Sequence, residues 1–280
     1  MDLLHTVAET RQRLRGEASV VLVPTMGNLH AGHIALVRKA REHGRTVVVS
    51  VFVNRLQFEP GGDFDRYPRT LEADCDKLRQ AECDLVFAPD EREMYPWPQE
   101  IVLSPPRVAH TLEGEYRAGH FQGVVTVVAK LLNIVQPHVA IFGKKDYQQL
   151  LVLQQLVRQL NFGVKVVPGE TVREADGLAM SSRNGYLSAA ERKEAVRLSQ
   201  QLRAIKEAVA AGRRDFADLE KSAKERLAAN GWRPDYIAIR RRADLGTPGA
   251  DDRELVVLGA SWLGRTRLID NLEFATNPRN

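Results

Sequence analysis

The 280-residue sequence contains only two cysteines, Cys75 and Cys83. So few cysteines exclude a disulfide framework and a cysteine-rich metal site, and we interpret both thiols as structural. No stretch approaches the roughly 18 consecutive apolar residues of a membrane span, and the N-terminus lacks the features of a secretory signal. These absences predict a cytoplasmic protein that crosses no membrane.

The sequence also lacks a strong charge imbalance, because its formal net charge is only +4. A mildly basic chain suits an anionic substrate. The densest basic run, Arg240-Arg241-Arg242, carries no interleaved aromatic residues. We therefore interpret it as a solvated face or a partner contact, and we predict no nucleic-acid partner.

The stretch from Val20 to Arg41 begins with four consecutive branched apolar residues, a pattern typical of a strand buried on both faces. Pro24 and Gly27 then force a bend, and apolar residues recur at helical spacing after it. The sequence therefore predicts a strand, a tight loop and a helix in direct succession.

His30 and His33 lie at the predicted start of this helix. A helix N-terminus directs unpaired N–H groups and the positive end of its dipole toward a bound anion, so the pair predicts a phosphate site. Two alternatives stay open, namely a pair of capping or core histidines and a pair of metal ligands. The metal interpretation is the weaker, because no third ligand is placed as in the His-Glu-x-x-His motif, and we predict no metal bound by protein ligands here.

Strands and helices alternate over the first 184 residues, which predicts an α/β fold with a Rossmann-like, doubly wound parallel sheet. The predicted strands are 19–23, 46–53, 84–88, 139–142 and 164–167, and the predicted helices are 3–14, 33–43, 70–82, 124–135 and 147–160. Thr70 is the expected N-cap of its helix. The connection 89–106 is rich in proline and is predicted to be irregular.

After residue 184 the composition changes. Two predicted helices, 189–211 and 216–230, precede three predicted strands, 236–240, 255–260 and 266–272. Ser188 and Glu191 form a capping box before the first of these helices. We therefore predict two domains, a catalytic domain over 1–184 and a smaller C-terminal α+β domain over 185–280.

Polar side chains follow several predicted strands, at the edge where a doubly wound sheet binds its ligands. The carboxamides of Asn54 and Gln57 suit a small hydroxy acid, because a carboxamide both donates and accepts hydrogen bonds. Lys145 offers a compact charge to a polyphosphate, and Asp146 suits ribose hydroxyls. Gln149 lies on the same helical face as Asp146. Turn residues and a plain N-cap are the structural alternatives.

The glycine-flanked loop 169–185 contains two serines and an arginine in succession, Ser181, Ser182 and Arg183. Two hydroxyls and a guanidinium suit the charge that accumulates on phosphate oxygens during a displacement. The alternative is an ordinary surface loop.

Taken together, these motifs resemble the pantothenate synthetase (pantoate–β-alanine ligase) family. The matching segments are Pro24-Thr25-Met26-Gly27 with His30-Ala31-Gly32-His33, Phe52-Val53-Asn54 with Gln57-Phe58, Tyr67-Pro68-Arg69-Thr70, Gly119-His120-Phe121 with Gly123-Val124, Lys145-Asp146-Tyr147-Gln148-Gln149, and Met180-Ser181-Ser182-Arg183-Asn184. The segment 264–271 near the C-terminus matches as well, so the resemblance covers essentially the whole chain. The family belongs to the nucleotidylyltransferase superfamily, which shares the His-x-Gly-His motif.

The sequence departs from the family pattern at two positions. Arg55 stands where the family usually has proline, and Lys144 stands where it usually has an acidic residue. Neither position carries an essential side chain in the family, so these departures bear on affinity more than on the type of reaction.

The resemblance implies an ATP-dependent condensation of pantoate with β-alanine through a pantoyl adenylate, with release of AMP and pyrophosphate. It implies Mg²⁺ bound chiefly through the nucleotide, and a homodimer. The implied catalytic residues are His30, His33, Lys145 and Arg183. The implied ATP-binding residues are Pro24, Thr25, Met26, His33, Gly143, Lys145, Asp146, Val172, Met180, Ser181, Ser182 and Arg183, and the implied pantoate-binding residues are Met26, Asn54, Gln57 and Gln149.

One further hypothesis concerns the glycine-containing loop 61–69, which we expect to close over the adenylate and exclude water. A different nucleotidylyltransferase is the enzymatic alternative, and it would not require the two glutamines. A basic nucleic-acid-binding module is the non-enzymatic alternative, which salt-sensitive RNA binding without ATP turnover would support. An aminoacyl-tRNA synthetase is disfavoured, because the chain after Asn184 leaves little room for an anticodon domain and Arg183 replaces the usual lysine.

Overall fold

The computed structural model describes residues 1–59, 61–249 and 251–276. These residues form two compact units. The first unit comprises Met1–Lys144 and Gln149–Glu170, and the second comprises Lys145–Gln148 and the chain from Thr171 onward. The predicted domain boundary after residue 184 stays a prediction, and the compact units divide the main chain 14 residues earlier, at Glu170.

Helices and strands alternate along most of the first unit. Its elements are β1 (Asp2–Leu4), α1 (Val7–Leu14), β2 (Val20–Thr25), α2 (Ala31–Arg41), β3 (Thr46–Val51), α3 (Leu71–Gln80), β4 (Leu85–Phe87), α4 (Glu91–Met94), α5 (Glu113–Tyr116), α6 (His120–Val135), β5 (Val139–Gly143), α7 (Tyr147–Gln159, its first two residues in the second unit) and β6 (Lys165–Gly169). Short 3₁₀ turns cover Arg55–Gln57, Arg107–His110 and Lys144–Asp146.

The first unit is built on a six-stranded sheet in the order β1-β4-β3-β2-β5-β6, and every pairing in it is parallel. Val21, Leu22 and Val23 of β2 are fully buried. Branched apolar side chains on consecutive residues therefore cover both faces of the central strand, as the sequence predicts. The predicted α/β class and the Rossmann-like parallel sheet are confirmed.

The strand order changes direction between β2 and β5. From β2 the chain proceeds through β3 to β4, and it then returns to place β5 on the opposite side of β2. In an open α/β sheet, the carboxyl ends of the two strands at such a switch point form the ligand-binding crevice. The loop after β2, which leads to His30, lies at this end of the sheet.

The second unit contains the predicted C-terminal α+β elements. They are α8 (Ala189–Glu194), α9 (Val196–Ala210), α10 (Phe216–Ala228), β7 (Trp232–Arg241), β8 (Glu254–Leu263) and β9 (Thr266–Ala275), after a 3₁₀ turn over Ser182–Tyr186. The three strands form an antiparallel sheet in chain order. Leu198 and Leu202 of α9 pack in one buried cluster with Ile237 and Val257 of the sheet, and this cluster is the core of the unit.

Gly259 of β8 allows this close helix-to-sheet packing. A Cβ atom there would lie 2.7 Å from Ile237 Cδ1 and 3.0 Å from Leu198 Cδ1.

Several predicted elements are wrong in detail. The helix predicted from residue 3 begins at Val7, after a capping box between Thr6 and Glu9, because Leu3 and Leu4 instead form β1 and pair with β4. The helix predicted over 189–211 is divided at Ala195.

Two predictions about polar and irregular segments also need correction. Thr70 precedes α3 but makes no side-chain cap, and its hydroxyl donates to Asp74 instead (3.0 Å). The connection predicted to be irregular over 89–106 contains the one-turn helix α4. Asp90 is the N-cap of this helix, and its side chain accepts a hydrogen bond from Glu93 N. Among the described residues, no helix combines the length and apolarity needed to cross a membrane.

Candidate active site

His30 and His33 lie together at the start of α2, with their ring centroids 4.1 Å apart. His30 is the N-cap, and its Nδ1 accepts a hydrogen bond from Gly32 N (3.1 Å). The Nδ1 atom of His33 accepts from His30 N (3.3 Å). The capping interpretation of the two histidines is therefore confirmed, since they form a reciprocal capping box.

These two bonds determine where each ring carries its proton. A backbone N–H only donates, so Nδ1 of each imidazole is an unprotonated acceptor. In a neutral imidazole the proton then lies on Nε2, and both rings present an Nε2–H donor. Capping and anion binding are thus compatible, because they use different nitrogen atoms of the same ring.

The loop before the histidines is anchored by Asp74 of α3, whose side chain is fully buried. Its two carboxylate oxygens accept from Asn28 N (2.8 Å) and Leu29 N (2.7 Å). Gly27 and Asn28 both have positive φ values, +80° and +50°. Backbone in this region is sparsely populated by residues other than glycine, so the buried carboxylate stabilises a turn that the local sequence would not favour alone.

The residues of β2 that the family resemblance assigns to ATP or pantoate lie just before this turn. Thr25 is buried, its hydroxyl donates to Ser50 O (2.7 Å), and it accepts from Gly27 N (3.2 Å). Pro24 precedes it in β2, and Met26 follows it at the start of the turn. Thr25 therefore fixes the bend that the sequence predicts at Gly27. The bend predicted at Pro24 is wrong, because Pro24 still belongs to β2 and pairs with Ser50.

Gln57 lies close to two of the other predicted pantoate residues. Its Nε2 donates to Met26 Sδ (3.1 Å), and its Oε1 accepts from Asn54 Nδ2 (3.0 Å). Asn54 is 1% exposed and also donates to Gly123 O (3.1 Å). Tyr95, which belongs to no sequence motif, donates its hydroxyl to Asn54 Oδ1 (2.7 Å), and burial raises the pKa of that phenol.

Gly143 and Gln149 also belong to the first unit. Gly143 ends β5, paired with Gly169 of β6, and Gln149 is partly buried in the first turn of α7. Gly143 is therefore the last residue of a central strand, and Gln149 follows the carboxyl end of the same strand.

In the second unit, Lys145 Nζ lies 3.8 Å from Asp146 Oδ1. The main chain at this point is bound to β9, because Asn271 Nδ2 donates to Lys145 O (2.8 Å). Tyr147 Oη donates to Glu273 Oε1 (2.9 Å), and burial, followed by this bond to a carboxylate, raises the pKa of the phenol. Two residues of β9 thus hold the segment that carries Lys145.

The loop 171–183 is also bound to β9. Arg173 donates to both carboxylate oxygens of Asp270 (2.8 Å each) and to Asn271 O (3.1 Å). Within the loop, Met180 N donates to Val172 O (3.0 Å), which joins two residues that the family resemblance assigns to ATP.

The serine and arginine residues of this loop lie in a local turn. Ser181 is the N-cap of the 3₁₀ turn that contains Ser182 and Arg183, and its Oγ accepts from Arg183 N (3.2 Å). An accepting hydroxyl keeps its own proton to donate. Ser181 is therefore suited to donate to an anion.

The two departures from the family pattern have structural explanations. The Arg55 guanidinium lies 4.0 Å from the Phe64 ring centroid and pairs with Glu91 (3.0 Å), so it packs against the loop 61–69. Lys144 pairs with Glu170 (2.6 Å). Both substituted side chains interact with neighbouring residues of the first unit.

The basic run 240–242 is neutralised by nearby carboxylates. Arg240 pairs with Glu220 (3.3 Å), Arg241 with Asp244 (2.8 Å), and Arg242 with Glu273 (3.2 Å). A guanidinium group attracts phosphates less strongly when a neighbouring carboxylate offsets its charge. This arrangement gives the nucleic-acid interpretation no support.

Comparison with known proteins identifies the family. The family model described as pantoate-beta-alanine ligase matches residues 2–273. The chain belongs to the pantoate-beta-alanine ligase family. A pantothenate synthetase of Nitrosomonas europaea is 56% identical over 271 residues, which cover 97% of this chain and 98% of that protein. The predicted ligase family and enzyme class are therefore confirmed.

Two solved structures of pantoate-beta-alanine ligases resemble the fold. Pantothenate synthetase from Thermus thermophilus superimposes with a TM-score of 0.93 at 47% identity, covering 97% of this chain and 99% of that chain. The pantoate-beta-alanine ligase from Francisella tularensis, described as a complex with beta-gamma ATP and beta-alanine, superimposes with a TM-score of 0.84 at 32% identity. This match covers 97% of each chain. The whole architecture, with its C-terminal antiparallel sheet, is therefore that of the ligase family.

Four polar residues of this ligase were not predicted from the sequence: Asp74, Tyr95, Arg173 and Asp270. Each acts on another residue over a long sequence separation, and no local pattern marks such a contact. Asp270 and Asn271 both lie in the matching segment 264–271, and the resemblance gives neither a role in the site. Their position in this segment is the one signal that the sequence offers for them.

Proposed function

We propose that the chain joins pantoate to β-alanine in two ATP-dependent steps. The pantoate carboxylate attacks the α-phosphorus of ATP and expels pyrophosphate, which forms a pantoyl adenylate. The amine of β-alanine then attacks the acyl carbon, and AMP leaves. Activation is needed because a carboxylate is a poor acyl donor, whereas an acyl adenylate carries a good leaving group.

The observation that carries this proposal is that the Nδ1 atoms of both histidines accept backbone hydrogen bonds, which leaves the ring protons on Nε2. His30 and His33 present Nε2–H donors at the N-terminus of α2, where the helix dipole also favours negative charge. Preorganised donors of this kind stabilise the charge that develops on phosphate oxygens in a displacement. In the proposal, these two donors contact the phosphate at which pantoate attacks.

The nucleotide roles follow the family resemblance. Lys145 and Arg183, with the Ser181 and Ser182 hydroxyls, bind the phosphates and the departing pyrophosphate. Asp146 binds the ribose, with the backbone at Gly143. The remaining ATP contacts in the proposal are made by Pro24, Thr25 and Met26 and by the backbone of Val172 and Met180.

The pantoate roles are assigned to Gln57 and Gln149, with Met26 forming an apolar wall for the gem-dimethyl group. Asn54 belongs to the same group, and its three hydrogen bonds to protein atoms support a role that it exerts on pantoate through Gln57. No side chain is required as a covalent nucleophile. Positioning of the amine beside the adenylate alone contributes about 7 to 11 kcal/mol to such a step.

Magnesium enters the proposal as part of the MgATP substrate. Among the described residues, no three His, Cys, Asp or Glu side chains are grouped to hold a metal ion. Mg²⁺ commonly binds through substrate phosphates and water with few protein ligands. In the proposal, the nucleotide therefore carries the ion into the site. We further propose, from the family resemblance, that the enzyme is a cytoplasmic homodimer.

A product assay tests the proposed function. The enzyme is incubated with ATP, pantoate and β-alanine, and each substrate is omitted in turn while AMP and pantothenate are measured. We expect AMP formation to require pantoate, and pantothenate to form only with all three. AMP formation without pantoate would contradict the proposal, and would favour transfer of AMP to another acceptor.

A further inference from the structure

Tyr95 lies outside the motifs that carry the proposed chemistry, yet it ends a chain of hydrogen bonds that leads to Gln57. We propose that Tyr95 is a positioning residue for pantoate, which acts through Asn54 to fix the Gln57 carboxamide with its nitrogen toward the substrate. This inference rests on the proposed function, because it assumes that Gln57 binds pantoate.

The order of donors and acceptors along these hydrogen bonds is determined where Asn54 meets the backbone of Gly123. Gly123 O, in the first turn of α6, lies 3.1 Å from the Asn54 carboxamide. A carbonyl oxygen can only accept, so Asn54 must present its Nδ2 to it. The opposite orientation would place two oxygens in contact within a site where Asn54 is 1% exposed. Chemistry therefore fixes the orientation of Asn54, although its nitrogen and oxygen are similar in shape.

The orientation of Asn54 then dictates those of its neighbours. Its Oδ1 faces the Tyr95 hydroxyl at 2.7 Å, so Tyr95 must donate. Burial raises the pKa of this phenol, which keeps its proton in place. The second Nδ2 proton of Asn54 points to Gln57 at 3.0 Å, so Gln57 must present Oε1 to it.

Gln57 consequently presents Nε2 on its other side. The protein partner of this nitrogen is Met26 Sδ at 3.1 Å, a weak acceptor, and an amide nitrogen carries two protons. The carboxamide therefore has donor capacity for a ligand oxygen. An oxygen-rich hydroxy acid suits a donor here, whereas a flipped carboxamide would place an acceptor oxygen against the substrate carboxylate.

The packing around these hydrogen-bonded residues leaves the 3₁₀ turn at Gln57 little freedom to move. A Cβ atom on Gly123 would lie 2.2 Å from Leu56 O and 2.6 Å from Gln57 N, so only glycine lets α6 approach the 3₁₀ turn this closely. His120 Nδ1 lies 2.9 Å from Gln57 O and fixes the same turn. With the backbone held, Gly123 O determines which way the Asn54 carboxamide faces, and the Tyr95 hydroxyl holds the Asn54 oxygen in place. The Gln57 carboxamide in turn keeps its orientation through Asn54.

Steady-state kinetics of Tyr95→Phe test the inference, since this variant removes one partly buried hydroxyl and little volume. Losing a hydrogen bond to a buried acceptor typically costs about tenfold in affinity, so we expect KM for pantoate to rise about tenfold. KM for ATP should stay within twofold. Tyr236→Phe, at a buried tyrosine of β7, is the matched control and should leave both KM values unchanged.

Asn54→Asp is the second variant, because a carboxylate keeps the shape and accepts from Tyr95 but cannot donate to Gln57 or Gly123. We expect a larger rise in KM for pantoate than in Tyr95→Phe. An unchanged pantoate KM in Tyr95→Phe, or equal rises for pantoate and ATP together with a lower melting temperature, would overturn the inference. If the unmodified enzyme forms no pantoate-dependent AMP, the proposed function itself fails, which separates the two outcomes.

Discussion

At the scale of single residues, His30 and His33 each accept a backbone N–H at Nδ1. The same bonds leave the ring protons on Nε2, which is the position that a phosphate needs. Asp74 stabilises the turn before the histidines, because its two carboxylate oxygens each accept one of two consecutive N–H groups, those of Asn28 and Leu29. The chemistry of the two histidines therefore depends on a residue of another helix, α3.

Asp74→Asn tests this dependence. An amide offers one acceptor instead of two and directs its NH₂ group at a backbone donor, which leaves a buried N–H unpaired. We expect the free energy of unfolding to fall by about 2 kcal/mol and pyrophosphate exchange to slow, as measured by urea denaturation and isotope incorporation. Asp76→Asn is the control, because Asp76 is exposed. Similar behaviour of the two variants would contradict the role of Asp74.

The two thiols should be unreactive in the folded protein. Burial raises the pKa of Cys83 to about 11 and also raises the pKa of Cys75, and both side chains are nearly inaccessible. Because the thiolate is the reactive form, raised pKa values leave little of it at about pH 8. We expect a chromogenic disulfide reagent to modify neither thiol in buffer at that pH and both in urea. Rapid modification of the native enzyme would refute the structural interpretation of both cysteines.

At the scale of elements, β9 links the core of the C-terminal unit to its proposed nucleotide-binding segments. Leu268 and Phe274 of this strand pack into the core cluster of the unit. Between them, Asp270 and Asn271 bind Arg173 and the Lys145 carbonyl. Burial of the strand therefore supplies rigidity to segments that carry few core residues of their own.

Asn271→Ala tests this link. Without the carboxamide, the carbonyl of Lys145 loses its donor, and we expect adenylation to slow by about tenfold, because a lost hydrogen bond contributes about 1 to 1.5 kcal/mol. The measurement is kcat for pantoate-dependent AMP formation. Asn230→Ala is the control, since Asn230 also donates to a backbone carbonyl but lies at the exposed end of α10. Equal rates for the two variants would show that β9 has no such role.

The sequence predicts elements well where a pattern is local. The buried run of β2, the helical spacing of α2 and the capping box of α8 all lie within a few residues of their cause. It fails where a distant partner decides. Leu3 and Leu4 form β1 because the distant strand β4 pairs with them.

The same distinction applies to the candidate site. Motifs indicated the histidines, the glutamines and Lys145, because their spacing matches a family. Tyr95 and Asp74 act over separations of 41 and 46 residues, and single side chains at such distances leave no periodic signal. These supporting contacts therefore become visible only in the folded structure.

At the scale of the whole molecule, the proposed roles divide between the two compact units. The histidines, Gly143 and the pantoate residues belong to the first unit, and Lys145, Asp146 and the loop residues assigned to ATP belong to the second. The family match extends over residues 2–273, so it includes both. The central claim is that pantoate reacts with ATP before β-alanine takes part.

Pantoate-dependent exchange of labelled pyrophosphate into ATP tests that claim most directly. We predict exchange with pantoate and without β-alanine, no exchange when pantoate is omitted, and a rate about two orders of magnitude lower in His30→Ala, because a transition-state donor has been removed. Exchange that proceeds without pantoate, exchange that requires β-alanine, or an unchanged rate in His30→Ala would contradict the claim.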